Sequence, residues 1–117
     1  MGAFAKPLTL ILGVVFLILG VLGFVQNPVL GLFEIDTMHN AVHLLSGAAA
    51  LICWSKGLGT TKMYLLVFGA IYGVVAVLGF VKPSPLLGLI TVNMMDNYLH
   101  TGIAAVCLIV GGSVKRA

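Results

Sequence analysis

Long apolar stretches separated by a few charged positions run along the whole chain. The charged residues leave four long uncharged stretches, at 7–33, 37–55, 63–81 and 97–114. A helix needs roughly 20 residues to cross the hydrocarbon core of a bilayer, so each stretch can hold one membrane span. We predict a single membrane domain covering 1–117, with spans at about 7–26, 38–55, 63–82 and 94–113.

The second half of the chain repeats the first. The run Val21-Leu22-Gly23-Phe24-Val25 returns at 77–81, and the Asn-x-x-His motif at 40–43 returns at 97–100. The repeat units are 7–55 and 63–113, with two predicted spans each. Two spans return the chain to its starting side, so both copies enter the membrane in the same orientation. The sequence therefore predicts an all-α, four-helix transmembrane bundle from a tandem parallel duplication of a two-helix unit, with a pseudo-two-fold axis along the membrane normal.

Composition and charge placement agree with a membrane protein and predict its orientation. The chain is 61% hydrophobic and 8% charged, whereas a soluble domain carries about 25% charged residues. Five basic residues and no acidic ones lie on the side of the termini and the middle loop: Lys6, Lys56, Lys62, Lys115 and Arg116. Basic residues concentrate in cytoplasmic segments, so we expect both termini in the cytoplasm. This basic rim accounts for the net charge and gives no reason to expect nucleic acid as a partner.

The first span, the cysteines and the glycines fit the same interpretation. No small-x-small cleavage site precedes Gln26, so we expect the first span to be retained and not removed as a signal peptide. Cys53 and Cys107 lie in apolar spans toward the cytoplasm, where a disulfide is not expected. We interpret them as small buried hydrophobic residues. Glycines suited to close helix contact occur in spans one and three, at Gly13, Gly20, Gly23, Gly69, Gly73 and Gly79.

A polar cluster marks the outer ends of the second and fourth spans. Its structural interpretation involves Asp36, Asn40, His43, Asn93, Asn97 and His100. In lipid, backbone groups must find partners inside the protein, and the apolar Leu-Gly-Leu connections at 30–32 and 87–89 precede these helices. The Asn-x-x-His side chains are therefore candidates to hydrogen-bond those connections. Asp36 and Asn93 are candidate N-caps.

The same cluster also suggests a metal site. The candidate ligands are His39, His43, Asp96 and His100. His39 and His43 are four residues apart, as are Asp96 and His100, so each pair shares a helix face. Three imidazoles and one carboxylate are suitable ligands for zinc or copper. A haem held between His43 and His100 is a further alternative, although the outer side offers only Lys82 to pair with its propionates.

The residues around these motifs resemble a bacterial family of small four-span membrane proteins known only as a domain of unknown function. The resemblance is carried by 30–34, 39–47 and 92–100, and the paired Asn-x-x-His motifs are its most specific part. It implies a multi-pass protein of the prokaryotic inner or plasma membrane. It implies no substrate, cofactor or reaction.

No motif typical of an enzyme accompanies the polar cluster. The sequence has no Cys-x-x-Cys, no Gly-rich phosphate loop followed by lysine and no nucleophile elbow. We therefore expect a non-enzymatic protein with a structural or accessory role in the lipid bilayer, packing as a homo-oligomer or as a subunit of a larger membrane complex. The alternatives are a metal- or haem-binding membrane protein and a small pore or lipid-binding protein.

Overall fold

Four α-helices make up most of the structure, a computed structural model that describes residues 2–26, 31, 36–82, 84, 86 and 90–115. A short 3₁₀ helix at Gly2–Phe4 leads into the helices, which we number α1 (Ala5–Leu22), α2 (Thr37–Ser55), α3 (Leu58–Val81) and α4 (Met94–Gly112). Outside the helices, Leu86 and Ile90 exchange two backbone hydrogen bonds of 2.8 and 3.3 Å. The part of the chain that the structure describes is otherwise without β-structure, which confirms the predicted all-α class.

Three of the helices have the length and hydropathy of membrane spans. They are α1 with its preceding turn (Gly2–Leu22), α3 and α4. Their outward-facing side chains are large and apolar, as at Ile18 (53% exposed), Val77 (62%) and Ile109 (54%). So large an apolar surface is unfavourable in water and suited to lipid. The longest dimension of the molecule is 39 Å, enough to cross a hydrocarbon core of about 30 Å. The chain is a membrane protein.

Helix α2 is less apolar than the other three. It has 19 residues, as α4 has, but it is not among the three helices with the hydropathy of a span. The reason lies in its first two turns, where His39, Asn40 and His43 replace apolar side chains. All three side chains are buried inside the protein, so their polarity does not face outward.

Small residues bring α1 against α2 and α3 against α4. A Cβ on Gly47 would lie 2.9 Å from the carbonyl oxygen of Gly13, and one on Gly69 would lie 3.0 Å from the Cβ of Cys107. A Cβ on Gly79 would collide with the side chain of Asn97. These glycines therefore serve contacts within the chain. Such close approach is how helices associate in lipid, where the hydrophobic effect between helices is absent.

The inner turn between α2 and α3 starts the third helix earlier than predicted. Helix α3 begins at Leu58, ahead of the expected start at 63. Gly57 has φ +112°, a conformation that glycine adopts without steric cost, and this allows the chain to reverse immediately after α2. The Thr61 hydroxyl donates to the Gly57 carbonyl at 2.7 Å and also contacts the Cys53 carbonyl at 3.3 Å.

The outer connections are described only in part. In the two Leu-Gly-Leu motifs only Gly31 lies within the described residues, with φ +71°. The prolines at 28, 83 and 85 and the basic residue at 116 also lie outside them. Helix α1 ends at Leu22, before the predicted 26. Backbone hydrogen bonds continue to Gln26, whose amide donates to the Leu22 carbonyl at 2.8 Å.

Candidate metal centre

The polar cluster begins with two side-chain caps at the outer ends of α2 and α4. Asp36 caps α2 by accepting a 2.8 Å hydrogen bond from the His39 amide. Asn93 caps α4 by accepting a 2.9 Å hydrogen bond from the Asp96 amide, and the Asp96 carboxylate accepts one from the Asn93 amide at 2.9 Å. This reciprocal pair is a capping box. Both predicted N-caps are confirmed.

Asp36 and His39 also hold the segment before α4. One Asp36 oxygen, Oδ2, accepts from the Thr91 amide at 3.0 Å and from the Thr91 hydroxyl at 2.9 Å. The His39 ring nitrogen Nδ1 lies 2.7 Å from the Thr91 carbonyl oxygen. A carbonyl oxygen only accepts, so Nδ1 carries the proton and donates. The first helix of the cluster is thereby tied to the chain just before the second.

The environment of Asp36 favours its ionised form. Burial would raise the pKa of this carboxyl, but the hydrogen bonds from the His39 amide and from Thr91 outweigh burial and lower the pKa below its usual 3.8. The carboxylate form accepts all three hydrogen bonds. The Asp36 side chain that links α2 to Thr91 is therefore charged at neutral pH.

Three imidazoles converge behind these caps. His39, His43 and His100 are 2%, 2% and 1% exposed. The ring centroids lie 4.4 Å apart for His39 and His43, 5.5 Å for His39 and His100, and 6.2 Å for His43 and His100. One ring nitrogen from each histidine lies within 4.8 Å of the others. We call these three residues the histidine triad.

Most of the ring nitrogens in the histidine triad have no hydrogen-bond partner among the described residues. This holds for Nε2 of His39 and for both nitrogens of His43 and His100. Leaving a buried polar atom without a partner costs about 1–3 kcal/mol. Five such atoms in one place are costly. A neutral imidazole has one lone-pair nitrogen and one N–H, so a bound cation would accept three lone pairs, one from each ring. His39 is already oriented for this role, because its Nδ1–H donates to a backbone carbonyl and leaves Nε2 free, as in many metal sites.

The spacing of the triad is close to that of a metal site. Two nitrogens bound to one zinc ion are at most about 4.2 Å apart, since each Zn–N bond is about 2.1 Å long. The ligand atoms of the triad lie within 4.8 Å of one another, so each pair exceeds this limit by at most about 0.6 Å. A metal ion held by the triad would have three nitrogen ligands and at least one open coordination position.

The fourth predicted ligand, Asp96, is directed elsewhere. Its carboxylate accepts from the Asn93 amide in the capping box, and it does not belong to the group of converging ligand atoms. The Asn93-x-x-Asp96 spacing is itself a capping-box pattern, so the sequence contained a signal that Asp96 caps α4.

The two asparagines of the predicted cluster behave differently from each other. Asn97 donates to the Gly79 carbonyl at the end of α3, at 2.9 Å, and not to a described part of the Leu-Gly-Leu connections. Asn40 is buried, and its Oδ1 has no hydrogen-bond partner within the described ranges. The predicted contacts to 30, 32 and 87–89 lie outside the described residues.

Aromatic and hydroxyl side chains that the sequence analysis did not single out surround the triad. Phe16 lies 5.7 Å from His43, and Tyr72 lies 5.3 Å from His100, between ring centroids. The Tyr72 hydroxyl is 2.7 Å from Ser46 Oγ. Two sequence features could have predicted these neighbours of the triad. Ser46 lies one helical turn after His43, and Tyr72 is a tyrosine within an apolar span.

The triad leaves no room for a haem. A porphyrin held between His43 and His100 would have to pass between their rings, but the His39 ring lies within 5.5 Å of both. Phe16 and Tyr72 also lie against the triad, at 5.7 Å from His43 and 5.3 Å from His100 between ring centroids. The space between the rings suits a single ion better than a porphyrin.

A cavity of about 260 Å³ adjoins the triad between α2 and α3. His39 and His100 form part of its wall, together with Ser46 and Tyr72. The rest of the wall is apolar.

The fold and the site together define a small all-helical membrane protein with a buried cluster of three histidines. The chain belongs to the family described as Domain of unknown function (DUF4383), whose model matches residues 6–113. This confirms the resemblance expected from the sequence. No curated protein and no solved structure matches the chain.

Proposed function

We propose that this protein binds one transition-metal ion, zinc or copper, at the histidine triad within the membrane. The observation that carries the proposal is the convergence of three buried imidazoles whose ring nitrogens lack partners among the described residues. Imidazole nitrogen is a preferred ligand of both metals. Buried histidines with a purely structural role are expected to have their nitrogens hydrogen-bonded. In the triad only Nδ1 of His39 has such a partner among the described residues.

The proposal places the site in a four-span bundle with both termini in the cytoplasm. Two lines of support favour α2 as the fourth span. The three polar residues of its first two turns are buried, and it packs against α1 at Leu44, Gly47 and Leu51. The paired N-caps Asp36 and Asn93, one at the start of each polar helix, support the internal duplication. In this arrangement the triad lies near the non-cytoplasmic surface of the membrane.

The expected accessory role rested on glycine-rich helix faces. The contacts of Gly13, Gly47, Gly69 and Gly79 lie within the chain, so these glycines need no external partner. Packing in a homo-oligomer or a larger complex stays a prediction. The converging imidazoles favour metal binding as the leading function.

Elemental analysis of protein purified without chelator or imidazole tests the proposal. We expect about one zinc or copper per chain in the wild type, and loss of the metal in His43→Gln and His100→Gln. Asp96→Asn is the matched control, because Asp96 belongs to the capping box and not to the converging ligands. It should keep the metal.

Thermal unfolding gives a second measurement. A ligand at 100 times its dissociation constant stabilises the folded state by about 2.7 kcal/mol. Added metal should therefore raise the unfolding temperature of the wild type and leave that of His43→Gln unchanged. Wild-type protein that contains no metal and does not respond to added zinc or copper would contradict the proposal.

A further inference from the structure

The cavity beside the triad combines an apolar wall with unpartnered imidazole nitrogens. His100 lines it, is 1% exposed and has no hydrogen-bond partner at either ring nitrogen among the described residues. His39 lines it as well. The apolar part of the wall consists of Val42, Leu45, Phe68, Ile71, Val75 and Ile90. A molecule in this cavity would lie directly against two of the three candidate metal ligands.

The cavity is accessible from the lipid-facing side of the protein. Leu45 and Ile71 belong to its wall and are 70% and 46% exposed. Both lie on helices with apolar outer surfaces, so the route in passes through hydrocarbon. A charged molecule pays a large desolvation cost on such a route. The ligand is therefore neutral and lipid-soluble.

The polar groups of the wall specify the ligand further. Three protein nitrogens leave a metal ion with an open coordination position, as in sites that bind an exogenous molecule. The hydroxyls of Ser46 and Tyr72, 2.7 Å apart, offer additional hydrogen bonding. The rings of Phe68 and Tyr72 provide surfaces for an aromatic ring. An aromatic ring with a hydroxyl group matches all three features.

We propose that the cavity binds a monocyclic phenol that enters from the membrane and places its oxygen at the open position of the metal. This proposal rests on the metal site proposed above. It assigns the cavity the role of a ligand pocket and the triad the role of its anchor. The ligand is released unchanged, so binding requires no oxidant or reductant.

Cobalt(II)-loaded full-length protein in detergent provides the test, because the visible absorption of cobalt reports its coordination. We expect p-cresol to change this spectrum with saturation. Toluene, which has no hydroxyl, should leave it unchanged. In Val75→Trp the added ring fills the cavity, so the apparent dissociation constant for p-cresol should rise at least tenfold while the cobalt content stays the same.

The neighbouring residue supplies a matched control. Val74 is 59% exposed and does not line this cavity, so Val74→Trp should bind p-cresol as the wild type does. A cobalt-loaded protein that gives no response to p-cresol, or responds equally in both tryptophan variants, would overturn the phenol pocket and leave the metal site standing. Failure of the wild type to bind cobalt would overturn the metal site and the pocket together. Circular dichroism confirms that Val75→Trp is folded.

Discussion

At the scale of single residues, Asp36 connects two separate parts of the cluster. One oxygen caps α2, and the other accepts two hydrogen bonds from Thr91. The neighbouring His39 donates to the Thr91 carbonyl through Nδ1, and the same ring belongs to the histidine triad. The capping of α2, the position of the segment before α4 and the orientation of a candidate metal ligand therefore depend on the same few atoms.

The lowered pKa of Asp36 predicts how stability changes in acid. A carboxyl whose folded-state pKa is below its unfolded value stabilises the fold above the unfolded pKa, here 3.8. That contribution is lost as the pH falls through the folded pKa. In Asp36→Asn the side chain keeps a capping oxygen but cannot ionise. The stability advantage of the wild type over this variant should therefore shrink below about pH 3.8.

Thermal unfolding in detergent between pH 7 and pH 3 measures this effect. The metal should be removed from both proteins beforehand, so that release of the metal in acid does not contribute to the difference between them. Unfolding temperatures of the wild type and Asp36→Asn that fall in parallel over this range would contradict the assignment of a depressed pKa to Asp36.

At the scale of helices, two glycines, Gly13 and Gly47, form a close contact between α1 and α2. The Gly47 position faces the Gly13 carbonyl oxygen at 2.9 Å and the Leu17 side chain at 2.8 Å, measured from an added Cβ. A backbone oxygen cannot move aside as a side chain can. The separation of these two helices is therefore set by the absence of a methyl group at this point.

Gly47→Ala should destabilise the protein by about 1–3 kcal/mol, the usual cost of adding volume to a packed contact. Gly102→Ala on α4 is the matched control, since an added Cβ there meets no atom within 4 Å. The control should be neutral, or more stable by up to about 1 kcal/mol from helix propensity. Equal unfolding temperatures for the two variants would show that the Gly13–Gly47 contact is looser than described.

The helices and their caps could be predicted from the sequence, but the membership of the triad could not. Uncharged stretches of span length indicate where helices lie, and polar residues at Asp36 and Asn93 indicate where two of them begin. The repeat aligns His39 with Asp96 and so predicts equivalent roles for them. The structure separates the two, because Asp96 folds back onto the Asn93 amide, whereas the His39 ring reaches toward Thr91 and His100.

The membership of the triad could not be predicted from the sequence for a physical reason. Helical spacing shows that His39 and His43 share a face, but the rotation of α2 relative to α4 decides which face meets His100. That rotation depends on packing between elements, such as the fit of α1 against Gly47. The hydroxyl contact between Ser46 and Tyr72 joins α2 to α3. It also depends on how the helices pack together, so the spacing of residues along the sequence does not predict it.

At the scale of the whole molecule, the number of spans decides on which sides the termini lie. Four spans return the chain to its starting side, whereas three place the termini on opposite sides. Whether α2 crosses the membrane decides between four spans and three. Among the described helices, α1, α3 and α4 have the hydropathy of spans and α2 does not. The four basic residues described on one side, Lys6, Lys56, Lys62 and Lys115, support a shared cytoplasmic location for both termini.

Reporter fusions at each terminus test the four-span arrangement. We expect green fluorescent protein to fluoresce when fused to either end, and alkaline phosphatase to be inactive at both. The four-span arrangement places Lys82 on the opposite side, so a phosphatase fusion after this residue should be active. Activity at one terminus only would show that α2 does not cross the membrane.

The contact between Lys6 and Trp54 makes the chain its own optical probe. Trp54 is the single tryptophan of the sequence, and the Lys6 ammonium lies 4.7 Å from its ring centroid while donating to its backbone carbonyl. One residue belongs to the start of α1 and the other to the end of α2. Indole emission responds to a nearby positive charge, so undocking of the first helix from the second is visible as a change in tryptophan fluorescence without any label.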